Sequence, residues 1–254
     1  MPPVSPPFRP TRRRGLLLAL CLLLGLTIWW LMRPTWQHDV PRDLPWAVAD
    51  YRTAHFSHQT LPDGRIRLQI EHLPLPDISP QMLAWWYRVL PISTVEISGT
   101  TYPLYQIFHL SEHGQLWLEE AASDGSPGMG VGALVARREW FGPFDSEGAG
   151  RVVSISAAGM TVRPEVAGVP IGEIRHLFSA TPTGSQYRVE TLIGVDWPLL
   201  GPLVNALLRY STFHEAMLRE WERHQIEEVS LLHYYLPQLY AQQAPAYHFT
   251  LALP

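Results

Sequence analysis

Between Thr101 and Gly194 short apolar and alternating runs recur between Gly, Pro, Ser and Asp breakers, as in Leu116–Glu120, Gly132–Phe141, Arg151–Ser156 and Tyr187–Ile193. A two-residue period broken by turn formers predicts an antiparallel sheet. Arg65–Ile70, directly after Asp63-Gly64, predicts an earlier strand. Ser79–Tyr87 predicts a short helix, with Ser79 as cap and Pro80 at the first helical position. Near the end the period changes. Thr212 and Glu215 form a capping box, and Met217, Leu218, Trp221, Val229, Leu232 and Leu236 then follow helical spacing. The pattern predicts a helix of about seven turns ending at Pro237. Many strands followed by one long amphipathic helix predict an α+β domain, a curved antiparallel sheet wrapped around a C-terminal helix. Such a domain often encloses a cavity.

The start of the chain has another pattern. Arg9, Arg12, Arg13 and Arg14 precede Gly15–Met32, a run of 18 residues without a charge. That length fits a bilayer core, and Trp29 and Trp30 at its end argue for an uncleaved transmembrane anchor over a secretory leader. The arginines predict a cytoplasmic N-terminus and a body outside the membrane, in the periplasm of a Gram-negative host. A lipoprotein reading at Cys21 is disfavoured, because Leu20 stands where a small residue is expected. Three segments follow: residues 1–33 as tail and anchor, 34–78 as an irregular lead-in rich in Pro, Asp and His, and 79–254 as the main domain.

A chain of 254 residues, 46% of them hydrophobic, can bury a sizeable core. A net charge of -4 disfavours nucleic acid as a partner. Cys21 is the single cysteine, so a metal here must take His and carboxylate ligands. Glycine-rich nucleotide loops, a nucleophile elbow and a His-Glu-x-x-His signature are absent from the sequence.

Two constellations have metal-ligand chemistry. His224 and Glu228 lie four apart, on one face of the predicted helix, together with Trp221 and Leu232. A solvated ion pair is the plainer reading; an inward face would make an unpaired carboxylate costly and favour a cation. Tyr105, His109 and His113 form the second. On an extended strand the two imidazoles stand roughly 13 Å apart and cannot share an ion, unless a turn at Leu110–Glu112 brings them together. Glu139, between apolar neighbours and next to two arginines, and His176, in a strand pattern, are weaker candidates.

In order along the chain, Ser79–Tyr87 with its Met82 and Trp85-Trp86, the Tyr-x-x-x-His-x-x-x-His of Tyr105, His109 and His113, and the His-x-x-x-Glu of His224 and Glu228 followed by Leu236-Pro237-x-x-Tyr240 resemble the 2,4-diacetylphloroglucinol hydrolases. The resemblance spans about Ile78 to Tyr240. It implies a helix-grip, START-like fold with Zn2+ held by two His and two Glu, which by motif position are His113, Glu139, His224 and Glu228. It further implies a pocket lined by Tyr105, His109, His176 and Tyr187, and hydrolysis of a carbon–carbon bond in a small aromatic or acyl-ketone substrate. Tyr105 or His176 would stabilise the phenolate or protonate the ring carbon, and His109 would relay a proton. Two other expectations remain open: a hydrophobic-ligand or lipid-binding domain of the same architecture, and a non-catalytic assembly factor joined to a membrane complex.

Overall fold

The computed structural model describes residues 37–244 and 246–253. The predicted anchor lies outside them. Among the described residues no helix is long and apolar enough to cross a membrane. Residues from His38 onward form one compact unit.

The first strands are β1 (His55–Thr60), β2 (Ile66–Glu71) and β3 (Leu75–Pro76). Helix α1 (Pro80–Val89) follows, then β4 (Thr94–Ile97), β5 (Thr100–Pro103) and the short α2 (Leu104–Phe108). A long meander comes next: β6 (His113–Glu120), β7 (Leu134–Phe141), β8 (Phe144–Ser156), β9 (Gly159–Val166), β10 (Val169–Pro170), β11 (Gly172–Thr181) and β12 (Gly184–Ile193). The chain closes with α3 (Gly201–Ser211), α4 (Glu215–Ser230), α5 (Leu236–Gln242) and β13 (His248–Leu251). The main sheet has ten strands in the order β1-β2-β12-β11-β9-β8-β7-β6, with β3 on β12 and β10 on β9, all antiparallel. A second sheet joins β13, β4 and β5. The α+β class read from the sequence is therefore present, with helices at the C-terminal end.

Strand β2 shows why the pattern was readable. Ile66, Leu68 and Ile70 are buried, while Arg67 and Gln69 between them are exposed, the period-2 signature of a sheet with one wet face. The described part of the lead-in, residues 37–78, is less irregular than the sequence implied, since β1 and β2 form one end of the main sheet. In α1 the Met82 N–H donates to Ser79 Oγ at 3.2 Å, and Pro80 occupies the first turn. Its buried face carries Leu83, Trp86 and Tyr87.

The predicted seven-turn helix is corrected. Thr212 ends α3, its N–H donating to the Leu208 carbonyl, so it cannot also open the next helix. The cap of α4 is His214, whose Nδ1 accepts from the Met217 N–H at 3.3 Å. Helix α4 stops at Ser230; a 3-10 turn, Leu232–Tyr234, leads into α5. Pro237 thus sits in the first turn of a helix, where its missing N–H is harmless.

Helix α4 touches both ends of the sheet order. His58 on β1 bonds Glu222 and Glu215, each at 2.9 Å, and His113 on β6 lies 3.1 Å from His224. A sheet whose two edge strands reach one helix is strongly curved. Trp221 and His224 pack on Phe141 of β7, between those edges.

Candidate metal centre

Two local geometries build the site. On the sheet, His113 and Glu139 are direct cross-strand partners in the β6–β7 register. A register shift between His113 and Gln115 marks a bulge at Gly114, where a Cβ would stand 2.9 Å from the Arg138 carbonyl oxygen. Only glycine accepts that approach, and bulges commonly re-aim a neighbouring side chain. On the helix, His224 and Glu228 are one turn apart and share a face.

These four side chains converge. His113 Nε2 is 3.1 Å from His224 Nε2, 3.2 Å from Glu228 Oε2 and 3.7 Å from Glu139 Oε2. His224 Nε2 is 3.7 Å from Glu228 Oε2 and 4.0 Å from Glu139 Oε2. Zinc–ligand bonds of about 2.0–2.1 Å in a tetrahedron place ligand atoms roughly 3.3 Å apart, close to this spacing.

The hydrogen bonds decide what the site wants. His113 Nδ1 lies 2.7 Å from the Tyr105 carbonyl oxygen, an acceptor, so Nδ1 carries the proton. His224 Nδ1 lies 2.8 Å from the Glu112 carboxylate, so it is protonated there too. Both Nε2 atoms therefore present lone pairs to each other and to two carboxylate oxygens. Four acceptors facing inward repel unless a cation, or a proton on Glu228, sits among them.

Electrostatics agree. Burial, then His224 and His109, holds the His113 pKa well below the usual imidazole value. Burial, then His109 and Arg223, does the same at His224. Both rings are thus in the neutral form that ligates. Burial and the charge of Glu139 push the Glu228 carboxyl well above its ordinary range, a cost that a bound cation would reverse. Two neutral imidazoles and two carboxylates would balance a divalent ion. His109, Glu112 and His224 also cluster within metal-binding reach. Glu112 there already accepts from Arg223, from the Gly142 N–H at 2.9 Å and from His224, so that set is satisfied without an ion.

The extended reading of Tyr105–His113 is replaced by the turn. Tyr105 lies in α2, His109 ends it, and the Glu112 N–H donates to His109 Nδ1 at 3.2 Å, folding the chain back so that β6 begins at His113. Arg42 clamps this turn by donating to the His113 carbonyl at 2.8 Å. Tyr105 is at the site: its ring stacks on His113 at 3.8 Å, and its hydroxyl donates to Glu139 Oε2. His109 is placed differently from a pocket-lining group. It stacks on His224 at 4.5 Å and donates to Glu227 at 3.1 Å, behind the ligand ring.

His176 and Tyr187 belong to an adjoining cluster. Tyr187 Oη lies 2.5 Å from both His176 Nδ1 and Tyr87 Oη. Burial raises the Tyr187 pKa well above that of free phenol, and the Glu228 charge adds to the rise. Burial lowers His176 to about 4. Tyr235 is buried nearby, its hydroxyl without a hydrogen-bond partner, and the Glu228 charge bears on it as well. A groove of about 280 Å³ along β1, β2 and β12, lined by His55, Phe56, Glu71 and Arg188 among others, is lined by none of these groups.

Sequence reasoning missed Glu112, Arg42, Arg137, Tyr87 and Tyr235. Arg137 Nε donates to Glu139 Oε1 at 2.8 Å, and their two-residue spacing on one strand face could have paired them. Glu112 carries no spacing signal, because only the tertiary fold brings it to His224.

The fold and the site define an α+β protein with a buried group, His113, Glu139 and His224, able to hold a metal ion, and with Glu228 half-buried beside it. No protein-family model matches the chain, and no curated protein matches it. Solved structures similar to it include a protein from Rhodobacter sphaeroides, at 10% identity over 70% of this chain and 97% of that one, with a TM-score of 0.40. Protein Ms6760 from Mycobacterium smegmatis is similar at 9% identity over 78% of this chain and 100% of that one, with a TM-score of 0.40. A protein from Arthrobacter aurescens is similar at 10% identity over 72% and 91%, with a TM-score of 0.39.

Proposed function

We propose that the protein is a zinc-dependent hydrolase that cleaves the bond between an acyl carbon and a phenolic ring or related ketone carbon. The convergence of four inward acceptors, with both imidazole tautomers fixed by their Nδ1 partners, carries the reading. His113, Glu139, His224 and Glu228 would hold the ion; when bound, zinc supplies the Lewis acidity that polarises a ketone oxygen and eases ionisation of water. Tyr105 anchors Glu139 through its hydroxyl, and Arg137 holds the other oxygen. Tyr187, bonded to neutral His176 and to Tyr87, would donate the proton. Water adds to the acyl carbon and releases one proton, the carbon–carbon electron pair stays with the ring, the ring carbon takes the proton of Tyr187, and the proton released by water restores the tyrosine. The products are a carboxylic acid and the deacylated arene. Tyr235, with its unpaired hydroxyl, offers a further contact for a phenolic oxygen. The body would be tethered by Gly15–Met32 as a single-pass anchor.

Metal analysis of the purified full chain tests the centre. One zinc per chain is expected, lost in His224→Ala and Glu228→Ala, and a metal-free wild type would overturn the reading. Activity is tested by acid release from an acetylated polyhydroxybenzene. Tyr187→Phe should lower kcat by roughly 10²–10⁴ while zinc content stays unchanged. The aromatic surroundings of Tyr87, namely Phe108, Phe178 and Tyr187, favour one competing reading, a hydrophobic-ligand or lipid-binding domain. That reading expects a co-purifying apolar ligand and no metal.

A further inference from the structure

Helix α3 is inside out. Its buried positions are Gly201 and the polar Asn205, whereas Leu203 is 70% exposed, Leu207 66% and Tyr210 76%. Asn205 turns inward to accept from the Val195 N–H at 2.7 Å and to donate to the Val195 and Asp63 carbonyls, each at 2.9 Å. Those three bonds fix the rotation of the helix, so that Leu208 packs against the core while Leu203 and Leu207 cannot roll into it. The preceding turn continues the apolar surface with Trp197, Leu199 at 97% exposure and Leu200. Three large apolar side chains at spacings of four and three on one helix face, with an aromatic at each end of the patch, resemble neither scattered surface leucines nor a core stripe. Arg209 beside this face reaches over the Tyr210 ring at 5.2 Å. Leucine, tryptophan and tyrosine on one face with a flanking cation is the composition of a helix lying in a membrane interface.

A chain of contacts links the end of this helix to His38. His38 stacks on Trp140 at 4.5 Å and bonds Asp145 at 2.6 Å, at the β7–β8 hairpin. Phe144 of the same hairpin packs against His214 at 5.0 Å, and His214 follows α3 by three residues. Only Arg33–Gln37 separate His38 from the uncharged run, a contour of at most about 18 Å. We infer that Trp197–Leu200 and the Leu203, Leu207 and Tyr210 face of α3 dock into the headgroup boundary of a lipid bilayer, the one that receives Gly15–Met32. The inference rests on the anchoring reading of that run, not on the hydrolase chemistry.

The test uses the full chain with Cys21→Ser, carrying a polarity-sensitive fluorophore at Leu203→Cys, Leu207→Cys or Thr183→Cys. Thr183 lies in the exposed hairpin at the other end of β12 and serves as control. Each protein is reconstituted into phosphatidylcholine/phosphatidylglycerol vesicles, with or without lipids bearing a nitroxide near the headgroup. The expected result is co-flotation with vesicles, blue-shifted emission at 203 and 207 with nitroxide quenching, and neither effect at 183. Quenching should survive high salt, because the contact is apolar. Flotation with water-like, unquenched emission at 203 and 207 overturns docking and leaves anchoring intact. Failure to float overturns anchoring and docking together. A blue shift without lipid that grows with protein concentration assigns the face to a second copy of the chain and overturns docking.

Discussion

Glu112 determines which nitrogen of His224 is free. Its carboxylate takes the Nδ1 proton, and it is itself held by Arg223 and the Gly142 N–H. Such carboxylate–imidazole contacts orient a ligand and raise its basicity, and their removal typically lowers metal affinity by about 10–100-fold. Glu112→Ala should therefore weaken zinc binding in that range in a competitive chelator titration, while Glu112→Gln, which keeps an acceptor oxygen, should lose less. Equal affinity in wild type and Glu112→Ala would dismiss the orienting role. At this scale the chemistry was legible where it depends on spacing. His224 and Glu228 are read directly from a helical step of four. The Glu139 contact to His113 depends on a bulge at Gly114, and the Glu112 contact on a turn built by His109; neither leaves a periodic trace.

Among the elements, β1 is joined to α4 by one imidazole between two glutamates. Burial opposes the charge on His58, but Glu215 and Glu222 outweigh it and raise the pKa above 6.5. A raised folded-state pKa adds stability that is fully present below the unfolded value of about 6.5 and fades as the pH climbs through the folded value. The wild-type Tm should thus fall on raising the pH above 6.5 more steeply than that of His58→Gln, measured by calorimetry. Parallel profiles would remove this clamp from consideration. The elements also show where sequence reading works. Ser79 and Pro80 marked the start of α1 because cap and proline act within one turn. Helix α3 escaped notice because Leu203 and Leu207 face outward and its buried anchor is an asparagine, which blurs the usual amphipathic pattern. The capping box at Thr212 misled because the preceding helix uses that residue as its end.

The molecule as a whole keeps several histidines neutral in its interior. His72 has no hydrogen-bond partner at either nitrogen among the described residues, packs at a tilt against the Tyr187 ring, and is held at about 3 by burial and then His176. With His176 at about 4, the depression is worth on the order of 3 kcal/mol for that residue. A lowered folded-state pKa means the unfolded chain takes the proton first. Stability should therefore decline as the pH falls from about 6.5 toward 3, and His72→Phe, which keeps a ring beside Tyr187 and cannot titrate, should flatten that decline in Tm. An unchanged acid slope would count against a buried neutral His72. The curvature of the sheet around α4 has a consequence for biosynthesis. His113 and Glu139 are translated long before His224 and Glu228, and the two pairs meet only when both rims of the sheet close on the penultimate long helix. A nascent chain stalled before Trp221 holds half of the proposed ligand set, so a metal using all four groups would load only after this helix has been made.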